Sequence, residues 1–148
     1  MSAPGLKLRA VDRADLEILS ACLQDALLPV LDLHYDGAAQ EFLLVANRFR
    51  WEAPAAQERI HMAVRVRGVT GVQRKGFDLK DQGRFLALLA LTYTPTESGG
   101  VILLHCAGES ETALRLSVTG IDLLAQDFGE PWPCTSVPKH DDSGEGAV

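Results

Sequence analysis

An α+β fold made mostly of antiparallel sheet is predicted from two periodicities. One segment near the N-terminus repeats apolar residues every three to four positions, as one face of a helix does. Most other patterned stretches alternate apolar and polar residues at a period of two, as strands do. The expected architecture is an N-terminal helix packed on a six- to seven-stranded roll or pleckstrin-homology-like (PH-like) barrel.

Leu6, Leu8 and Ala10 alternate with Lys7 and Arg9, which makes a short strand. The period then changes in VDRADLEILSACLQDALL. Asp12 is placed to cap a helix, with Asp15 three residues on, and Leu16, Leu19, Leu23 and Leu27 recur with Ile18 and Cys22 alongside. That helix is expected to end before Pro29. VLDLHYD sets Val30, Asp32, His34 and Asp36 against Leu31, Leu33 and Tyr35, Gly37 and its neighbours turn the chain, and EFLLVANRFRWE follows as a strand. After EAPAAQE, RIHMAVRVRGV alternates again. RFLALLALTYT is apolar on both faces and reads as a buried strand or a helix, its Thr and Tyr end favouring the strand. TPTESGG is a turn, and VILLHCA and TALRLSV are strands. Residues 1–132 thus read as a single globular domain. Residues 133–148, PCTSVPKHDDSGEGAV, lack periodicity and read as an extended, mobile tail.

AVRVRGVTGV (63–72) echoes ALRLSVTGI (113–121), and each follows a candidate hairpin. A duplicated three-strand unit explains both, with Gly71 and Gly120 as equivalent bulge or bend positions; hydrophobic alternation alone also makes antiparallel strands look alike.

NRFRWE (47–52) concentrates two arginines and two large aromatics. At a period of two, Leu43, Val45, Asn47, Phe49 and Trp51 share one face, and Phe42, Leu44, Ala46, Arg48, Arg50 and Glu52 the other. The arginines and aromatics therefore separate, which argues against a stacking RNA surface and assigns Phe49 and Trp51 to the core. In the next strand Ile60, Met62, Val64 and Val66 oppose Arg59, His61, Ala63, Arg65 and Arg67. Matching apolar faces requires paired residue numbers to sum to an odd value near 111, with Trp51 beside Ile60, Phe49 beside Met62 and Arg50 beside His61. The preceding hairpin, at an even sum near 78, would keep Asp32, His34 and Asp36 on the arginine face. Asp32, Asp36 and Glu52 with Arg48, Arg50 and Arg65 then form a cross-strand charge lattice, the structural alternative to an anion-binding face.

The chain of 148 residues carries a net charge of −6, but residues 48–84 sum to +5 between flanks of −4 and −7. An acidic whole argues against DNA while leaving a basic face open to a partner. Cys22, Cys106 and Cys134 are odd in number and far apart, so neither a disulfide framework nor a C-x-x-C ligand set is expected. Acids interrupt the N-terminal segment where a signal peptide needs an apolar run, and no apolar stretch approaches membrane-spanning length, so a cytoplasmic protein without membrane contact is expected.

Asp32, His34 and Asp36 stand at the i, i+2, i+4 spacing that aligns side chains on a strand face, and His61 can join from two strands away. This is the enzyme alternative, a divalent-metal or acid–base site, set against a plain solvated polar face. His105 and Cys106 point to opposite faces and do not make a catalytic pair. No G-x-G-x-x-G, P-loop, G-x-S-x-G or H-E-x-x-H pattern occurs, and no cofactor is expected. Trp132 in GEPWP either covers the core edge or anchors a partner.

LKLRAVDRADLEILSACLQDA, then NRFRWE, then GEPW with Pro138 and His140 beyond it, follow one another over nearly the whole chain. In that order they resemble a family of uncharacterised alphaproteobacterial proteins of about this length, grouped as a domain of unknown function. The resemblance carries no activity, cofactor or catalytic residue. From the residues, the first expectation is a non-enzymatic binding or assembly module that meets an acidic protein surface through Arg48, Arg50, Arg65, Arg67 and His61, in a monomer or a homo-oligomer. RNA or a phosphorylated metabolite is the alternative ligand for the same face.

Overall fold

The computed structural model describes residues 5–108 and 111–134. In chain order they form β1 (Lys7–Ala10), α1 (Arg13–Cys22), β2 (Leu27–Pro29), β3 (His34–Asp36), β4 (Glu41–Phe49), β5 (Glu58–Arg67), β6 (Val69–Lys75), β7 (Phe85–Thr96), β8 (Gly99–Cys106), β9 (Thr112–Val118) and β10 (Leu123–Pro133). The mostly antiparallel α+β class is as expected, with ten strands rather than six or seven. Three of the ten, β1, β2 and β3, are only three or four residues long. RFLALLALTYT is a strand, β7. The expected tail lies, beyond Cys134, outside the described residues.

The helix starts where its cap is encoded. Asp12 Oδ1 accepts the Asp15 N–H at 2.8 Å, and Asp15 Oδ2 accepts that of Val11 at 3.0 Å, so two of the N–H groups at this helix end find partners. Leu16, Leu19 and Leu23 are buried, and Ile18 faces out. The helix stops at Cys22, five residues before Leu27, because the chain is drawn into the sheet: Asp25 adopts a left-handed φ of 62°, its N–H donates to the Leu88 carbonyl, and the Leu88 N–H donates to that of Ala26. VLDLHYD is likewise not one strand. Val30–Asp32 is a 3-10 turn that separates β2 from β3.

Strand order is β1-β10-β5-β4-β2-β7-β8-β9-β6, with β3 on β4. β3, β4 and β5 form one antiparallel meander, and β7, β8 and β9 another. Each then sends its next strand to the other: β6 pairs with β9, and β10 pairs with β5. The echo found in the sequence falls on these two crossings. The corners touch, with the Thr119 N–H donating to the Gly68 carbonyl at 2.9 Å. Gly68 has φ +72°, and a Cβ there would lie 2.4 Å from Thr119 Oγ1, so the first corner requires glycine. Gly71 sits at a register shift in β6 and Gly120 in the bend before β10.

Both hairpin registers differ from expectation by parity. Paired numbers sum to 108 for β4 with β5 (Glu41 with Arg67, Phe49 with Arg59) and to 77 for β3 with β4 (His34 with Leu43). Asp32, in its turn, pairs with nothing on β4. The core face of β5 is the expected one, but that of β4 is Phe42, Leu44, Ala46 and Arg48. Leu16, Leu19 and Leu23 of the helix side meet Met62 and Val64 in a single core with Ile102, Leu104, Leu114 and Leu116. Phe49 is buried outside that core, edge-to-face with Trp51 at 4.7 Å. Trp51 is half-buried, and its indole N–H donates to the Gln24 carbonyl just past the helix.

Candidate functional site

Arg48 faces inward, fully buried, and the reason is a partner that lies 79 residues away. On β10, Leu123 and Ala125 point to the core and Asp127 continues their row. Arg48 Nε and Nη2 donate to Asp127 Oδ1 at 2.8 Å and Oδ2 at 2.5 Å. Nη1 and Nη2 donate to Glu52 Oε1 at 3.0 Å and Oε2 at 2.8 Å, and Nη1 also donates to the Phe49 carbonyl at 3.2 Å. All five guanidinium N–H groups are thereby used. Asp127 Oδ2 also accepts the Leu6 N–H at 2.8 Å, tying β1 to the same cluster. Burial works against the charged guanidinium, but the hydrogen bonds it donates to Asp127 and Glu52 outweigh it and hold its pKa well above the ordinary value. Arg48 holds the fold together and presents no charge to a partner, which corrects its expected place on the open face.

Arg50 is also occupied: its guanidinium bonds Glu58 and lies 3.7 Å from Glu52, with its side chain 16% exposed. The open arginines are on β5. The outer face of the sheet runs in rows from β4 through β5 to β10 and β1: Asn47, His61 and Phe128; then Val45, Ala63, Gln126 and Lys7; then Leu43, Arg65, Leu124 and Arg9. Arg65 and Arg67 are about half exposed, as is Arg9. Their carboxylate contacts are loose. Arg65 is 3.7 Å and Arg67 4.0 Å from Glu41, and Asp122 lies 3.9 Å from Arg67 and 3.5 Å from Arg9. Of the expected charge lattice, Glu52 does pair with Arg48 and Arg50, whereas Arg65 meets Glu41 in place of Asp32 or Asp36, and Asp36 accepts the Ala39 N–H. Lys7, Leu43, Ala63, Arg65, Leu124 and Gln126 line a groove of about 340 Å³.

Beside this basic stretch lies an aromatic one. Between Phe128 and Trp132 the chain advances four residues against two on β5, a bulge at Gly129 (φ +73°) and Pro131. It sets both rings against His61, Phe128 stacked at 5.3 Å and Trp132 tilted at 4.6 Å. His61 Nδ1 is 2.8 Å from Asn47 Oδ1, so the imidazole is fixed in position, while Phe128 is 46% exposed. GEPW encodes this bulge, and Trp132 lies on the outer face rather than over the core edge. Aromatic and cationic side chains thus share one surface, which the alternation within NRFRWE seemed to rule out.

Asp32, His34, Asp36 and His61 do not assemble. His34 is opposite Leu43, while His61 is opposite Asn47, four residues further along β4, or about 13 Å at strand rise. Among the described residues, no three His, Cys, Asp or Glu side chains gather closely enough to hold a metal ion. Cys106 points into the core, where burial pushes its thiol up to about 11, and His105 faces the other way to Thr92 at 2.8 Å. No helix among the described residues is long and apolar enough to cross a membrane.

A family model described as a protein of unknown function, DUF2948, matches residues 6–140. No curated protein and no solved structure matches the chain.

Proposed function

The chain belongs to the DUF2948 family of proteins of unknown function, so its role must be read from its own residues, and we propose a non-enzymatic binding module. Its outer face on β1, β10, β5 and β4 receives an acidic surface of a protein partner. The observation that carries this reading is the difference between two sets of arginines. Arg48 and Arg50 are held by short, shielded contacts, whereas Arg9, Arg65 and Arg67 keep half their side chains exposed at 3.5–4.0 Å from their acids. Exposed pairs of that kind contribute about 0–1 kcal/mol each, so a partner's carboxylates can replace Glu41 and Asp122 at little cost. Leu43, Leu124 and exposed Phe128 add the apolar contact, and Arg with aromatic residues is the composition enriched at protein interfaces.

Single-stranded RNA is the second reading, favoured by Phe128 stacked on His61 within reach of those cations. One titration separates the two. A labelled Glu-rich peptide with a central Phe and a labelled U-rich 12-mer are each titrated with the protein, followed by anisotropy. Peptide binding that falls at least tenfold in Arg65→Glu/Arg67→Glu supports the protein reading. Binding confined to the RNA and lost in Phe128→Ala supports the second. If neither probe binds, or charge reversal changes nothing, the face is not a binding site.

A further inference from the structure

We infer that a separate cavity, between β3 and β6, binds a small carboxylate with a straight apolar tail, a medium-chain fatty acid. The cavity holds about 230 Å³ and is lined by Leu33, Tyr35, Phe42, Val72, Leu79 and Leu114, with Arg74 beside them. It exists because the strands do not close here. β6 ends the sheet order and β3 pairs with β4; between them, Val69 donates its N–H to the Gln40 carbonyl and accepts the Tyr35 hydroxyl at its own carbonyl.

Arg74 is the decisive residue. It pairs with Leu114, which is 2% exposed, and lies two residues beyond Val72, which packs on the core opposite Leu116, but Arg74 itself is exposed, at the mouth of the cavity. A cation at the mouth of an apolar cavity is placed to pair with the anionic head group of a ligand whose tail lies inside. The Arg74 guanidinium has no hydrogen bond or ion pair with any described residue, and it stands at the edge of an apolar cavity. A tail inside and a carboxylate at Arg74 satisfy both features, the charge-assisted bond fixing the orientation. At ~30 Å³ for a water-sized group, the cavity admits about eight heavy atoms, room for the seven-carbon tail of octanoate with its carboxylate at the mouth and not for a long-chain lipid.

The test is a calorimetric titration of butanoate, hexanoate, octanoate, dodecanoate and uncharged octanol into the protein. Each added CH2 should tighten binding about fourfold until the cavity is full, after which the gain stops. Octanol should bind about tenfold or more weakly than octanoate, and Arg74→Gln should lower octanoate affinity by the same factor. Leu79→Asp puts a carboxylate into the lining from an exposed loop position, so it should abolish binding without unfolding the chain. Absence of binding across the series overturns the inference. So does octanol binding equal to octanoate, or affinity unchanged in Arg74→Gln or Leu79→Asp.

Discussion

Arg48→Met should be among the most destabilising substitutions outside the apolar core. The change removes a guanidinium that is fully buried and leaves the Asp127 side chain, 1% exposed, with the Leu6 N–H as its one partner among the described residues. Removing one member of a buried ion pair costs about 3–5 kcal/mol, a large part of the roughly 5–15 kcal/mol that stabilises a domain. Glu52 adds little to that cost because its side chain is 36% exposed and water replaces Arg48 there. Adding Asp127→Leu to Arg48→Met removes the orphaned carboxylate and continues the row of Leu123 and Ala125. The double variant should then lie within about 1.5 kcal/mol of the parent, the residual cost being the unpartnered Leu6 N–H. Urea titration followed by circular dichroism reads both. At a slope near ~2 kcal/mol per M, Arg48→Met lowers the midpoint by about 2 M, and the double variant restores most of it. The reasoning fails if Arg48→Met costs under about 1 kcal/mol, or if the double variant loses the sum of its two single changes.

The same cluster sets a pH dependence. Hydrogen bonds from Arg48 hold Glu52 below its ordinary pKa of 4.5 in spite of partial burial, so its contribution is fully present above that value and is lost as pH falls through the lower folded one. Urea midpoints measured from roughly pH 6 down to pH 3 should therefore fall, and the gap between parent and Arg48→Met should narrow with them; a gap that widens on acidification contradicts the assignment. Burial of Cys106 and its thiol value of about 11 make it inert in the native state, so a disulfide reagent at pH 8 should modify it only in urea. Mass mapping of the labelled peptides checks this, and rapid native labelling of Cys106 would refute it.

Most elements were legible in the sequence, and the faces of β4 were not. Strands, turns and the Asp12 cap follow from local period and local chemistry, so hairpins such as β7 with β8 fall where TPTESGG indicates. The facing of β4 is not local, because Phe42, Leu44 and Ala46 on one side are matched by Leu43 and Val45 on the other. Only the end of the strand was left to decide, and there a rule that holds on average, arginine out and aromatic in, chose the wrong side. The signal that decides it is a pair of anomalies. Phe42, Leu44 and Ala46 run into a cation at Arg48, and Leu123 and Ala125 run into an anion at Asp127. Each looks like a mistake in an apolar row, and together they make one buried bond. A charge that ends an apolar row therefore indicates a partner of opposite sign ending another row, and that pairing sets the strand's register and facing. The same logic reorders the candidate face. Once Arg48 and Arg50 are committed to Asp127, Glu52 and Glu58, the loosely held cations of this face are those of β5 and β1. The aromatics beside them then come from the GEPW bulge and not from NRFRWE.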